Sequence, residues 1–335
     1  MADRHALMLL DSASLYFRAY YGVPDSVKAP DGTPVNAVRG LLDMIARLVT
    51  DHRPDRLVAC WDEDWRPAFR VAAIPSYKAH RVVGGADAAA AAEAGGTVAA
   101  EEVPDTLAPQ VPVIAEVLAA LGIARAGAAG YEADDVIGTL TAREVARPAG
   151  ERSPVLVVTG DRDLFQLVDD DAPVRVLYTI RGIKDVEVVD GARLREKYAV
   201  ASGPAYADMA VLRGDPSDGL PGVPGIGEKT AAAMLAKYGD LPGILAARDS
   251  GDAGLTATQR TRLHEADAYL AVAPEVVRVA PDAGVELAGA PGVPADPDAF
   301  ALPREPADGA ALVDLTERWG LESSVRRVLT ALANR

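Results

Sequence analysis

Three short apolar runs, each closing on an aspartate, constrain this chain more than anything else in it: 6–11 (ALMLLD), 57–62 (LVACWD) and 155–161 (VLVVTGD). Unbroken Val- and Leu-rich runs of this length suit strands buried on both faces, as in a parallel sheet. Between the first two, Val38, Leu41, Leu42, Ile45, Leu48 and Val49 recur at helical spacing within 35–52, which gives a strand-helix-strand order. Apolar stripes predict further helices over 108–121, 132–145 and 203–212, and two closing helices over 310–318 and 322–332. The expected class is α/β, with a mostly parallel central sheet flanked by helices.

In open sheets of this kind sites form at the carboxyl ends of the strands, so Asp11, Asp62 and Asp161 are expected to converge. A lone Asp after a strand is ordinarily a turn residue or a helix cap. Here more acids follow: Glu132, Asp134 and Asp135 in GYEADDVIGTL, Asp163 in TGDRDLFQL, and Asp215 and Asp218 in RGDPSDGLPGV. Acids at helix starts also serve the macrodipole, which accounts for one or two of them more easily than for a run of three. Nine carboxylates in one cleft repel unless hard cations neutralise them, and an oxygen-only donor set selects Mg²⁺ or Mn²⁺. Two such ions would hold a phosphodiester, acidify an attacking water and stabilise the leaving oxygen. With four histidines and one cysteine, and no Cys/His ligand spacing, a structural zinc site is not expected.

Net charge runs the other way. At −15 the chain is a poor polyelectrolyte match for nucleic acid, unless its cations are gathered on one face. One such gathering lies directly after Asp62: WRPAFRVAAIPSYKAHR carries Arg66, Arg70, Lys78, His80 and Arg81 with Phe69 and Tyr77 between them. Guanidinium and ammonium groups clamp phosphate, and an aromatic ring stacks on an unpaired base; an isolated stretch of this kind also reads as a solvated amphipathic helix. A second candidate is GLPGVPGIGEKTAAAML, which nearly spells an ATP-binding loop but has Glu228 where the lysine belongs. Gly225 and Gly227 leading into a helix with Lys229 and Thr230 present backbone N–H groups to an anion such as a DNA phosphate, and equally form a plain glycine turn.

The chain of 335 residues is long enough for an α/β body and a helical region. The expected division is a catalytic core over 1–185 and a helical region over 186–335, since the strand signal fades near residue 186. Within the core, 82–106 is rich in Ala and Gly and is expected to be a flexible surface insertion. The stretch 281–308, rich in Pro, Gly and Ala, is expected to be an irregular connection. Cys60, inside an apolar run, is expected to be a buried structural thiol. No signal peptide and no run of 18 apolar residues is found, so the chain is expected in the cytoplasm and not in a membrane.

Six motifs in order, LLDSASLYFRAY, the CWD strand end, FR followed by YKAHR, GYEADDVIGTL, TGDRDLFQL and GDPSDGLPGVPGIGEKTA, resemble the 5′-nuclease superfamily. The likeness is greatest to the 5′-3′ exonuclease domain of bacterial DNA polymerase I and extends to flap endonucleases. It runs over about 6–245 and more weakly through the helical tail. The resemblance implies a PIN-like core and a metal-dependent, structure-specific 5′ nuclease that hydrolyses DNA at 5′ ends, nicks and 5′ flaps, for RNA-primer removal and repair. It implies that all nine acids belong to a site for two or more Mg²⁺ or Mn²⁺. Asp11, Asp62, Glu132 and Asp134 would surround one ion, Asp161, Asp163, Asp215 and Asp218 the other, with Asp135 in the outer sphere. Lys78 and Arg81 match the family's phosphate-activating pair, Arg70 and Tyr77 would contact DNA, and Tyr77 would stack on the terminal base. The glycine turn resembles a helix-three-turn-helix, over about 208–240, that grips duplex DNA and holds K⁺. Gly219 departs from the frequent Asn of that motif, and 82–106 stands where the family places an arch over a threaded 5′ strand. With no polymerase domain in the chain, a stand-alone monomer is expected, cooperating with a separate polymerase and ligase. A non-catalytic binder of branched DNA and a metal-dependent ribonuclease are the alternatives.

Overall fold

The computed structural model describes residues 6–89, 100–180, 182–290, 292 and 297–335. Its first elements are β1 (Leu7–Asp11), α1 (Ser12–Gly22), α2 (Asn36–His52), β2 (Arg56–Cys60) and α3 (Ala68–Ala73). Then follow α4 (Gln110–Leu121), β3 (Ala124–Gly127), α5 (Ala133–Val145), β4 (Val155–Thr159) and β5 (Val174–Tyr178). All the residues of β1 and β4 are buried, as their unbroken apolar runs require. β1 pairs in parallel with β2 on one side and β4 on the other, so the three aspartate-terminated strands are immediate neighbours at the centre of the sheet.

Side chains that alternate along these strands feed two cores. Leu7, Leu9, Val58, Cys60, Val155 and Val157 pack on one face, with α5 among the elements that cover it. Met8, Leu10, Leu57, Ala59, Leu156 and Val158 pack on the other face under α2 and α4. Cys60 is fully buried, in keeping with a packed rather than a reactive thiol.

The strand signal does not end at residue 186. A short β6 (Glu187–Val189) pairs antiparallel with β5, and after six helices a two-residue β7 (Glu286–Leu287) returns to pair antiparallel with β3. The full order is β6-β5-β4-β1-β2-β3-β7. Both edge strands are too short to leave an apolar pattern, so periodicity misses them. The intervening helices are α6 (Gly191–Tyr198), α7 (Gly203–Arg213), α8 (Glu228–Tyr238), α9 (Leu241–Asp249), α10 (Ala257–Glu265) and α11 (Asp267–Val277). Two closing helices, α12 (Gly309–Trp319) and α13 (Glu322–Ala333), pack beside α4 and α2 respectively. The connection over 281–308 is thus partly ordered: besides β7 it holds a 3₁₀ turn at Pro297–Phe300, and Ala301 bridges to Arg56. No helix among the described residues is long and apolar enough to cross a membrane.

The insertion over 82–106 is described only at its two ends. There Val82 and Glu101 form an antiparallel bridge, and Glu102 N donates to the Arg81 carbonyl at 2.8 Å. The rest of that expected flexible arch, 90–99, lies outside the described residues.

α1 and α2 cross closely because Gly40 has no side chain: a Cβ built there would stand 2.7 Å from the Ala19 Cβ. Gly40→Val should therefore lower unfolding stability by about 1–3 kcal/mol through overpacking, measured by urea denaturation. An unchanged midpoint would show that the two helices part without cost.

Candidate active site

The carboxyl edge of β1, β2 and β4 opens into a cavity of about 230 Å³. Six carboxylates line it, those of Asp11, Asp62, Glu101, Glu132, Asp134 and Asp161, against two cations, Lys78 and Arg81. Each is placed by a local device. Asp11 ends β1 and caps α1, accepting from Ser14 N at 3.1 Å and from Thr159 Oγ1 at 2.6 Å, which ties it to the end of β4. Asp62 lies two residues beyond β2 and accepts from Ala133 N at 2.7 Å, the first amide of α5. Glu132 caps that helix and accepts from the Tyr77 hydroxyl at 2.9 Å and from Lys78 Nζ at 2.9 Å.

Electrostatics records the crowding. Burial, and then the charge of Asp62, push the Asp11 carboxyl up to about 7 despite the Thr159 hydrogen bond. Burial likewise raises Glu132 to about 7, with Lys78 and Arg70 opposing. Asp134 is held well above its usual range by burial and by the charges of Asp11, Asp161 and Glu132. Asp163 is raised by burial and then by Asp161, Asp218 and Asp215, which puts those four acids within electrostatic reach of one another. Among the described residues no three His, Cys, Asp or Glu side chains close on one point; acid lines the cleft instead of knotting at one place in it.

Two loops carry the remaining parts and are bound to each other. Lys78 adopts a left-handed backbone, φ 49°, immediately before a 3₁₀ turn at Ala79–Arg81. Its amide donates to the Asp218 carbonyl at 3.0 Å, and Arg81 donates to Asp218 Oδ1 at 2.7 Å and to the Ser217 carbonyl at 2.9 Å. Ser76 Oγ donates to the Gly219 carbonyl at 2.7 Å. Gly219 is itself left-handed, φ 73°, and a Cβ there would meet the Ser76 carbonyl at 2.1 Å. The glycine that departs from the usual motif is what lets the two loops touch. Asp215 turns inward on its own loop, accepting from Ser217 N at 2.8 Å, with Arg213 at 3.7 Å.

Two expectations need correction, those for Arg70 and Tyr77. Asp135, expected in the outer sphere, does not line the cleft: it is fully buried and takes both arms of Arg70 at 2.6 Å, with Arg70 in turn 3.7 Å from Glu132, while Ala280 N donates to Asp135 at 2.9 Å. Arg70 is 2% exposed and spent on that pair and on the Val276 carbonyl, so it cannot reach DNA. Tyr77, 3% exposed, holds Glu132 and offers no face for base stacking. Arg66 too is buried, donating to the carbonyls of Tyr77 and Pro75. The basic cluster is thus half skeleton: a guanidinium buried against a carboxylate and one in solvent look the same in a sequence.

The glycine turn joins α7 to α8. Gly227 caps α8, and Lys229 and Thr230 fall in its first turn, with Lys229 exposed. Gly225, φ 75°, leaves room for Arg262, whose guanidinium a Cβ would strike. None of these residues lines the acid cleft. What sequence reasoning missed is Tyr16, Phe17 and Trp65 on the cleft wall, and Glu101. The α1 aromatics follow Asp11 within two helical turns and were legible from that spacing; Glu101 sits in an Ala-rich stretch that gave no signal.

Comparison with known proteins adds an independent line. Residues 6–199 match the family model described as 5′-3′ exonuclease, N-terminal resolvase-like domain, and 202–296 match 5′-3′ exonuclease, C-terminal SAM fold. A 5′-3′ exonuclease of Streptomyces coelicolor is 64% identical over 97% of this chain and 99% of its own length. A DNA polymerase I of Mycobacterium bovis is 42% identical over 71% of this chain, which spans 24% of that longer protein. In fold, the chain is similar to a bacteriophage T5 flap endonuclease solved with DNA and metal ions, at a TM-score of 0.60 and 17% identity, covering 96% of this chain and 99% of that one.

Two outcomes are expected from this arrangement. Carboxyls whose folded pKa is raised bind protons more tightly folded than unfolded, so their stability contribution is full below about pH 4 and lost as pH climbs through about 7. Melting temperature in a chelator should therefore fall between about pH 5 and about pH 8, and Mg²⁺ should reverse the fall; a flat profile in chelator would contradict the crowding. Separately, Arg70→Met should cost about 3–5 kcal/mol by leaving Asp135 buried without its partner. A loss below about 1 kcal/mol in chemical denaturation would mean that water reaches Asp135.

Proposed function

The chain belongs to the 5′-3′ exonuclease family, and on that footing we propose that the acid-lined cleft is where it cuts phosphodiesters. It is a structure-specific 5′ nuclease, a hydrolase of DNA at 5′ ends and 5′ flaps, suited to primer removal and repair. The observation that carries the assignment of the site is six carboxylates at one sheet edge with two cations among them.

The donor set fits hard divalent ions, Mg²⁺ or Mn²⁺: it is all carboxylate oxygen, and the burial and mutual repulsion that raise Asp11 and Asp134 are what a cation would relieve. Such ions would acidify a water and stabilise the leaving oxygen. Asp11, Asp62, Glu132 and Asp134 would hold one, and Asp161, Asp163, Asp215 and Asp218 the other; Asp135 is withdrawn to the skeleton. Lys78 loses charge stability to burial, but Glu132 and its neighbours more than restore it and hold the ammonium well above its usual range. It therefore donates to a phosphate oxygen and cannot serve as a base. Arg81, three residues further along the same loop and held by Asp218 of the other, would reach the same phosphate. Tyr77 and Arg70 fix Glu132 and α5 and do not touch substrate.

The α7–α8 turn would grip duplex DNA through its backbone amides, Lys229 and Thr230, and would hold K⁺ on its carbonyls. Backbone gripping selects the shape of the DNA and not its sequence. This keeps the cutting body within 1–185 and the gripping helices within 186–335 as a functional division, although the sheet itself crosses that line. Cooperation with a separate polymerase and ligase follows from the same reading.

A labelled 5′-flap duplex incubated with Mg²⁺ or Mn²⁺ should be cut near the junction. Asp161→Ala should abolish cutting while leaving flap binding measurable, and Lys78→Ala should lower kcat by about 10²–10³-fold. Metal-independent cutting, or full activity in Asp161→Ala, would remove the assignment. Tight flap binding with no cutting would favour a binding module, and faster cutting of a matched RNA flap a ribonuclease.

A further inference from the structure

A second concavity, of about 780 Å³, runs between α2 and α13 and shares no lining residue with the acid cleft. Asp43, Ala46, Arg47, Thr50 and Arg53 supply one wall and Ser323, Arg326, Arg327, Thr330 and Asn334 the other, each set at helical spacing. Ile183, half-buried, supplies apolar surface beside Lys184 on one side and with the aliphatic stems of the arginines makes the floor, under which Val49 and Ala331 lie buried.

Its charge is opposite to that of the chain. A protein of net charge −15 places six cations here, Arg47, Arg53, Lys184, Arg326, Arg327 and Arg335, against one lining acid, Asp43. Arg327 is taken up by Asp43 at 2.7 Å and Arg47 by Asp51 at 2.5 Å, while Arg335 reaches the Leu302 carbonyl. The charged side-chain groups of Arg53, Lys184 and Arg326 have no hydrogen-bond or ion-pair partner among the described residues. Three unpaired cations thus rim an apolar floor.

We propose that this groove docks a short acidic peptide segment of a partner protein, one that carries an apolar side chain or two beside its carboxylates. Charge complementarity names the sign, and the floor names the second component. The length follows from the helix: Asp43 to Arg53 spans about 15 Å at 1.5 Å per residue, room for about four to five extended residues. Single-stranded nucleic acid fits less well, because no aromatic ring lines the groove to stack a base. Because the groove is separate from the cleft, a partner would sit here while DNA is being cut.

The test uses the full chain and a panel of fluorescein-labelled acidic hexapeptides bearing Leu, Ile or Phe at either end, read by anisotropy. At least one should bind saturably, weaken with salt, and lose at least about 10-fold in affinity in the double variant Arg53→Glu/Arg326→Glu, with flap cleavage unchanged as the check on folding. No saturable binding by any peptide, or equal binding by the double variant, would overturn the proposal. So would tighter binding of a twelve-nucleotide oligothymidylate that the double variant loses, or self-association in sedimentation that it abolishes, which would give the groove to nucleic acid or to a second copy of the chain.

Discussion

Glu132 is the point at which the positive and negative halves of the cleft meet, and the rest of the site depends on how it is held. Its carboxylate takes Tyr77 and Lys78 on its oxygens, with Arg70 at 3.7 Å behind. The same residue caps α5, so the helix that presents Asp134 is anchored by the group that balances Lys78. Burial raises the pKa of such an acid toward a neutral form that is useless as a donor to a cation. Lys78 and Arg70 oppose that rise without cancelling it, and the pairing holds the carboxyl where an ion would sit and the ammonium where a phosphate would.

Behind this pair the protein spends a second ion pair on rigidity. Arg70 and Asp135 are buried together, and Asp135 also ties the N-terminus of α5 to the chain at Ala280. Two neighbouring acids in one motif, Asp134 and Asp135, thus have opposite fates because successive residues at a helix start point about 100° apart. One faces the cleft and the other faces the core.

That difference sets how much was legible beforehand. Parallel strands buried on both faces announce themselves as apolar runs, so β1, β2 and β4 and the aspartates after them were readable, and with them the location of the cleft. The composition of its walls was less so. Arg66, Arg70 and Tyr77 read as a binding surface because burial leaves no mark on a charged or aromatic residue taken singly. β6 and β7 were too short for any period, and Glu101 arrives from an insertion whose composition suggests nothing. Gly219 reads as a small change in a motif until the Ser76 carbonyl is placed against it.

The late part of the chain has a bearing on the order in which the molecule comes into being. α13 covers the outer side of α2, and Arg327 meets Asp43 across 284 residues of sequence; β7 closes the sheet beside β3. A ribosome releases the strands and acids of the cleft long before it releases the pieces that complete the body around them. Contacts of such long range close the longest loops and carry the largest entropic cost of formation, so a chain already carrying every acid of the cleft still lacks the frame that α13 and β7 complete.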